Sequence, residues 1–167
     1  MEIRHTRPED LPGILALYEK ATAFMRENGN LTQWADGDSP LGKAEADIAA
    51  GRSFVCCEDD ALLAVFVFEP EAAEPAYRSI RDGAWPDGGP YGVLHRIAVG
   101  VPGRDVAGYC FDWCAARCRQ LRADTHADNA PMTFRGREAG FVILGSENIG
   151  ILCDIPLAAD NALNFIG

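Results

Sequence analysis

The sequence contains no run of 18 or more apolar residues, so a membrane-spanning helix is not expected. Its first residues, MEIRHTRPEDL, are charged and do not resemble a secretory signal. Positive charge is scarce, because 15 Lys and Arg against 25 Asp and Glu give a formal net charge of −10. An acidic surface argues against nucleic acid and anionic membranes as partners, although a local basic pocket could still bind a small anion.

The six cysteines include no C-x-x-C pair, and the histidines lie far from any cysteine doublet, so no metal site is expected. Cys110, Cys114 and Cys118 recur every four residues, which places them on one helix face as small hydrophobic side chains. A metal or redox site on that face is the alternative. A chain of 167 residues buries enough surface to need no disulfides. Buried, reduced cysteines predict a cytoplasmic protein.

The first half of the chain has the pattern of a strand, two helices and a hairpin. MEIRHT begins as a short strand, and apolar residues at helical spacing predict a helix from about Glu9 to Glu27. Ser39-Pro40 opens a second helix that runs to Ala50. Two β-rich runs around an acidic turn predict a hairpin with strands at Ser53–Glu58 and Ala61–Glu69.

The second half begins with a long linker, Pro70 to Pro90, which is rich in Pro, Gly and Asp. A linker of this length is often a functional lid, and a surface excursion is the equally open alternative. Beyond it the pattern predicts strand, helix, strand, helix and two strands, at Tyr91–Val99, Gly108–Leu121, Leu121–His126, Pro131–Ala139, Phe141–Gly145 and Asn148–Ile155. Residues 1–167 therefore form one domain of the α+β (mixed α/β) class, with a tail from about 156 that the pattern does not assign.

Four strings stand out along this order of elements: LHRIAV at Leu94–Val99, GYCFDWCAARCRQLRADTHADNAPM at Gly108–Met132, REAGF at Arg137–Phe141 and LTQW at Leu31–Trp34. Together with the element order, they resemble the GNAT N-acetyltransferase superfamily, in its bacterial small-molecule branch. The resemblance extends to about Ile155. It implies a central mixed sheet of about six to seven strands with about four helices, in which the fourth and fifth strands splay apart.

The resemblance further implies that acetyl-CoA is the co-substrate and lies in the gap between the splayed strands. A primary amine, of a small molecule or a peptide, would attack the thioester directly, so neither a metal nor a covalent protein nucleophile is required. The residues implied to bind the cofactor lie on the fourth strand, in the loop and helix start after it, and in the Asn-containing turn: Ile97, Ala98, Val99, Gly103, Arg104, Asp105, Val106, Ala107, Gly108, Asn129 and Met132.

The family's pyrophosphate loop, R/Q-x-x-G-x-G/A, aligns with residues 102–107, and two positions depart from it. Pro102 replaces Arg or Gln and has no N–H to donate. Asp105 replaces a glycine, and a carboxylate ~4 Å from a phosphate oxygen is repelled by about 1 kcal/mol in water and about 4 kcal/mol at an effective dielectric of 20. Asp105 could instead point outward, pair with Arg104 or cap the following helix.

Two histidines are candidate general bases, because imidazole changes charge near neutral pH. His95 precedes the loop, and its position two residues before Ile97 predicts that both face the same side of the strand. His126 ends the next strand, and a purely structural histidine is the alternative for each. The resemblance also makes Gln33 and Trp34 candidate contacts of the acceptor, although Trp34 could equally be a packing residue.

A further departure concerns the leaving thiolate. The family often has a tyrosine acid four residues before the Gly-Phe pair, where this chain has Gly136. Arg135 or water would have to assist, or the thiolate would leave unprotonated. Asn129 could contact the cofactor arm, cap the next helix, or do both. Three functions stay open: an acetyl-CoA-dependent N-acetyltransferase, a weakened GNAT-like protein that binds a ligand or partner, and a subunit of a structural homodimer.

Overall fold

The sheet of this protein consists of seven strands: β1 (Glu2–His5), β2 (Ser53–Glu58), β3 (Ala61–Glu69), β4 (Gly92–Val99), β5 (Gln120–Thr125), β6 (Val142–Glu147) and β7 (Gly150–Pro156). The computed structural model describes residues 1–35, 37–78, 84–85, 88–101, 103–126, 128–132, 142–147 and 150–156. The strand order is β1-β2-β3-β4-β5-β7-β6, and every pair is antiparallel except the parallel pair β4–β5. The predicted α+β class and mixed sheet are confirmed.

The β2–β3 hairpin has the bounds predicted from the sequence. Its two-residue turn places both Asp59 and Asp60 in the left-handed region, at φ 48° and 65°. A turn with two positive φ values matches the right-handed twist of the flanking strands, and aspartate tolerates that conformation better than most residues. The acidic pair therefore closes the hairpin, as its composition predicted.

Three α-helices are described in full: α1 (Leu11–Glu27), α2 (Ala44–Ala49) and α3 (Val106–Ala115). α1 and α2 each follow a short 3-10 turn, at Pro8–Asp10 and Pro40–Gly42. A proline in a first turn loses no hydrogen bond, so both predicted helical segments are present but begin as tighter turns. A fourth helix begins at residue 130. The rest of the helix predicted at Pro131–Ala139 and the tail beyond 156 lie outside the described residues.

The hairpin is buried on both of its faces, which explains its nearly continuous apolar sequence. Val55 and Val65 pack on one side in a core with the α1 residues Ile14, Leu17 and Tyr18. Phe54 and Phe66 pack on the other side in a core with the α3 residues Cys110, Phe111 and Cys114. The sheet thus has α1 and α2 on one face and α3 on the other.

Helix α3 differs from the predicted Gly108–Leu121 at both ends. It begins two residues earlier because Asp105 caps it, and it ends at Ala115 because the chain must turn before β5 starts at Gln120. Cys110 and Cys114 are fully buried on the helix, whereas Cys118 lies in the turn beyond it and is half-buried. None of the described helices is both long and apolar enough to cross a membrane.

Candidate active site

The parallel strands β4 and β5 pair over only three residues before they separate. Gly92, Val93 and Leu94 pair with Leu121, Arg122 and Ala123, and no pairing between the two strands is described after that point. β4 continues to Val99 along β3, and β5 continues along β7. The predicted splay between the fourth and fifth strands is therefore confirmed. It leaves an edge of β4 facing a gap, which is suited to an extended ligand that has amide groups of its own.

A β-bulge in β4 sits at the start of this gap. Val67 pairs with His95 and Val65 pairs with Ala98, so β4 has one residue more than β3 in this interval. Arg96 adopts φ 50°, a left-handed conformation that is uncommon for a residue with a side chain. The extra residue reverses the alternation of the strand: Ile97 packs in the core with α3, whereas His95 contacts Tyr77 on the opposite face. The prediction that His95 and Ile97 face the same side is wrong for this reason.

A buried carboxylate holds the bulge. Asp47 on α2 is 2% exposed, and its oxygens lie 2.8 and 2.9 Å from Nη2 of Arg96. Arg52 donates to the same carboxylate through Nε at 2.8 Å. A left-handed residue costs about 1–2 kcal/mol, and a hydrogen bond to a charged group contributes about 1.5–3 kcal/mol. The contact with Asp47 is therefore strong enough to offset the conformation of Arg96.

The face of the sheet opposite α3 has a cluster of four polar residues at the splay: His95, Asp124, Glu74 and Tyr77, called here the His95 cluster. Nδ1 of His95 lies 3.3 Å from Oδ1 of Asp124, and Nε2 lies 3.4 Å from Oε2 of Glu74. The hydroxyl of Tyr77 donates to Oδ1 of Asp124 at 2.6 Å. Each ring nitrogen of His95 thus has a carboxylate within reach, and Asp124 is oriented by two donors.

The charge state of Asp124 follows from these contacts. Partial burial alone would raise the pKa of Asp124, but the hydrogen bonds from His95 and Tyr77 outweigh it and hold the pKa below its ordinary value. Burial, together with the neighbouring Asp124 charge, raises the pKa of the Tyr77 hydroxyl well above its ordinary range. Tyr77 therefore stays protonated and acts as a donor that orients Asp124, not as an acid.

The linker from Pro70 to Pro90 supplies two members of this cluster. Its 3-10 turn at Pro75–Arg78 places Tyr77 in the interior, and the backbone carbonyl of Tyr77 accepts a hydrogen bond from Nε1 of Trp85 at 2.8 Å. Arg122 of β5 lies between two aromatic rings, 3.8 Å from Trp85 and 3.9 Å from Tyr91. The described part of the linker is thus packed against β5 beside the splay, and its role as a lid or as a surface excursion stays a prediction.

In the loop after β4, the charged side chains bond to other groups of the protein, whereas a phosphate-binding loop directs its donors at the ligand. Oδ1 of Asp105 accepts a hydrogen bond from the N–H of Gly108, so Asp105 is the N-cap of α3. Both outer nitrogens of Arg104 bond to the carboxylate of Glu58, at 2.7 and 2.9 Å. Gly103 has φ 76°, which glycine adopts without strain. Of the alternatives open for Asp105, the cap is observed, and Pro102 lies outside the described residues.

The end of β5 is tied to the loop between α1 and α2. Nε2 of His126 lies 3.1 Å from the hydroxyl of Thr32, and Nδ1 of His126 accepts from the backbone N–H of Asp128. Asn129 donates to Oε1 of Gln33 at 3.0 Å and accepts from the backbone N–H of Met132. Asn129 therefore caps the helix that begins at residue 130, one of its two predicted roles, and also holds Gln33.

Trp34 has left-handed backbone geometry and packs edge-to-face on Tyr18, so its indole belongs largely to the core with α1. Thr125, the last residue of β5, is 2% exposed, and its hydroxyl has no hydrogen-bond partner among the described residues. The positions of Arg135 and Gly136 lie outside the described residues. Of the two predicted bases, only His95 belongs to the cluster at the splay.

Sequence reasoning did not identify Asp124, Glu74 or Tyr77. Asp124 left a signal, since it lies in the strand predicted beside the splay, where a buried carboxylate needs a partner. Tyr77 and Glu74 left no such signal, because they lie in a linker whose sequence has only the composition of a loop. Their role follows from the fold, which brings residues 74–77 beside residues 95 and 124.

No family model matches the chain, and no curated protein matches its sequence. Solved structures do match it. A GNAT-family acetyltransferase from Streptococcus agalactiae has a TM-score of 0.87 at 24% identity, over 94% of this chain and 95% of that one. A GNAT-family acetyltransferase from Listeria monocytogenes has a TM-score of 0.71 at 20% identity, over 93% and 94% of the two chains. The protein yncA of Salmonella typhimurium, solved with its cofactor acetyl-CoA, has a TM-score of 0.60 at 14% identity, over 95% and 94%.

Proposed function

We propose that this chain, which has the GNAT acetyltransferase fold, is an acetyl-CoA-dependent N-acetyltransferase that acts on a primary amine. The observation that supports this most directly is the position of the His95 cluster, on β4 and β5 where the two strands part. A proton acceptor at the start of an open gap is what direct acyl transfer to an amine needs. A cytoplasmic location, as expected from the reduced cysteines, belongs to the same proposal.

His95 is the proposed general base. Asp124 holds Nδ1 of the ring and Tyr77 holds Asp124, which leaves Nε2 to accept a proton from the ammonium group of the acceptor, directly or through water. The carboxylate of Glu74, 3.4 Å from Nε2, then accepts a hydrogen bond from the protonated ring. His126 is less suited to this role because its Nδ1 accepts the backbone N–H of Asp128, so the neutral ring carries its proton on Nε2 and has no lone pair there to accept another.

In the proposed reaction the free amine attacks the thioester carbon, a C–N bond forms and the C–S bond breaks. The attacking nitrogen then loses its extra proton to water, and the leaving thiolate takes up a proton from water. The edge of β4 at Ile97, Ala98 and Val99 fits the amide-containing arm of acetyl-CoA. The pyrophosphate would lie at residues 103–108, with Asn129 and Met132 near the arm. Gln33 and Trp34 would border the acceptor. No metal and no covalent protein nucleophile take part in this proposal.

The weakened, ligand-binding alternative is favoured by two features of the loop after β4. Asp105 occupies an N–H group at the start of α3 and adds a negative charge, while Glu58 binds the Arg104 guanidinium. Both features oppose a pyrophosphate at this loop, because a helix N-terminus attracts an anion by only about 0.3–1 kcal/mol. A homodimer also stays a prediction, which sedimentation at micromolar concentration tests.

A titration with acetyl-CoA distinguishes the two functions. Acetyl-CoA at 100 times its dissociation constant should stabilise the fold by about 2.7 kcal/mol, visible as a rise in Tm. Release of free thiol with a panel of primary amines then tests catalysis. Stabilisation without thiol release would support the weakened binding protein, and the absence of stabilisation at millimolar acetyl-CoA would contradict the acetyltransferase.

A further inference from the structure

Asp47 is a buried carboxylate that lies outside the His95 cluster. It belongs to α2, it is 2% exposed, and two arginines bind it, Arg52 from the residue before β2 and Arg96 from β4. A carboxylate is rarely buried this deeply unless its charge is paired. The two ion pairs explain how the charge of Asp47 is tolerated in the interior. They do not explain why one of its partners is Arg96, whose backbone is in the left-handed region.

Arg96 is poorly suited to a purely stabilising role. Its Nε atom is buried and has no hydrogen-bond partner within the part of the chain that the structure describes, although both Asp47 oxygens contact its Nη2. A buried donor without a partner and a left-handed backbone both oppose folding. Both occur at the single extra residue of the bulge, between His95 and Ile97. Arg96 therefore occurs, in spite of both costs, at the residue where it constrains the bulge.

We propose that Asp47 is a positioning residue for the acyl-transfer site: through Arg96 it holds the left-handed bulge of β4 that turns His95 towards Asp124. The expected effect on turnover rests on the proposed function. The structural part of the inference concerns the direction of the His95 ring and does not depend on the proposed function.

The bulge decides which face His95 occupies. Side chains alternate along a strand, so a regular β4 would place His95 and Ile97 on one face. Ile97 packs in the core with α3, and this packing would draw His95 away from Asp124 and Glu74 if the bulge relaxed. The contact between Asp47 on α2 and Arg96 thereby determines whether His95 lies beside the carboxylates of the His95 cluster.

Four variants separate positioning from general stability. Arg96→Ala removes the guanidinium and keeps a Cβ that disfavours the left-handed backbone. Arg96→Gly removes the same guanidinium but adopts a positive φ freely. Arg52→Gln is the matched control, since it removes the other cation from Asp47 and lies outside the bulge. Asp47→Asn keeps the shape of the carboxylate and removes its charge.

The readouts are kcat and the long-range ¹H–¹⁵N NMR spectrum of the histidine rings, which the chain's three histidines keep simple. We expect Arg96→Ala to move the ring signals of His95 and to lower kcat by about 10- to 100-fold, the effect of a misplaced catalytic group. Arg96→Gly should recover much of both. Arg52→Gln should leave both near wild type, even where it lowers Tm.

The proposal is wrong if Arg52→Gln changes the His95 signals and kcat as much as Arg96→Ala, or if Arg96→Ala changes neither. Where Arg96→Ala does not fold, Asp47→Asn takes its place, and unchanged His95 signals in that variant overturn the proposal. If wild type transfers no acetyl group, the proposed function fails, and the ring signals alone still decide whether Asp47 positions His95.

Discussion

Oδ1 of Asp105 accepts a hydrogen bond from the backbone N–H of Gly108 at 3.2 Å, and a Cβ on residue 108 would overlap the other carboxylate oxygen. The cap and the glycine therefore depend on each other. Since the carboxylate occupies a helix N–H group that could otherwise face an anion, the proposed function predicts that this pair relates the stability of α3 to the affinity for acetyl-CoA.

Asp105→Asn should tighten the binding of CoA. Asparagine caps a helix as well as aspartate does, so the fold should keep its stability while the negative charge is lost. A charge ~4 Å from a phosphate oxygen costs about 1 kcal/mol in water, or about five-fold in Kd. Calorimetric titration at low and high salt measures this, with Asp112→Asn on the same helix as the control. Equal affinities of wild type and Asp105→Asn would show that Asp105 does not oppose the phosphate.

Gly108→Ala should have different effects with and without the cap. In wild type, the new Cβ displaces the Asp105 carboxylate, and the loss of about 1 kcal/mol offsets a gain in helix propensity of up to about 1 kcal/mol. In an Asp105→Ala background only the gain remains. Urea denaturation of all four proteins measures the coupling, and strictly additive free energies of unfolding would contradict the mutual dependence.

His95→Ala should remove the rise of kcat/KM with pH on the acidic side of the profile, because no ring remains to accept the proton of the ammonium group. His126→Ala is the control, since its ring contacts Thr32 and not the His95 cluster. The measurement is thiol release from acetyl-CoA across the pH range for the three proteins. A profile of unaltered shape in His95→Ala would rule out this residue as the base.

Tyr77→Phe should lower the free energy of unfolding at neutral pH by about 1 kcal/mol, as expected for a lost hydrogen bond to a partly exposed charge. The bond helps to hold the pKa of Asp124 below its ordinary value, so its stabilisation is complete above that value and is lost as pH falls through the lowered pKa. The difference between wild type and variant should therefore shrink on acidification. Denaturation at several pH values measures it, and Tyr91→Phe is the control. A difference independent of pH would exclude the link to Asp124.

Thr125→Val should raise the free energy of unfolding by about 1 kcal/mol, because a buried hydroxyl without a partner opposes folding. Thr6→Val is the matched control: the Thr6 hydroxyl donates to the carbonyl of Ser53 at 3.1 Å, so its loss should destabilise the fold. Chemical denaturation compares both variants with wild type. A destabilised Thr125→Val protein would mean that this hydroxyl has a partner in solution.

Several features of the fold could be predicted because they depend on neighbours in sequence. The β2–β3 hairpin requires only two β-rich runs and a turn that accepts positive φ at Asp59 and Asp60. The helical segment of α1 follows from the same short-range logic, although α1 begins at Leu11 after a 3-10 turn, and the cap at Asp105 was one of the alternatives that this logic left open. The strings LHRIAV and THADN supplied the splay of β4 and β5 through their resemblance to a known fold, and the comparison structures share that fold.

The His95 cluster depended on contacts between residues distant in sequence. Whether Glu74 and Tyr77 meet His95 is decided by how the linker packs on β5, and the linker's own sequence favours no single path. The direction of His95 is decided by a bulge that Asp47 holds from another helix. The sequence by itself determined the elements, their order and the candidate base, because local pattern encodes them. Only the tertiary structure decided which face of β4 His95 occupies, because a single extra residue reverses the alternation of a strand.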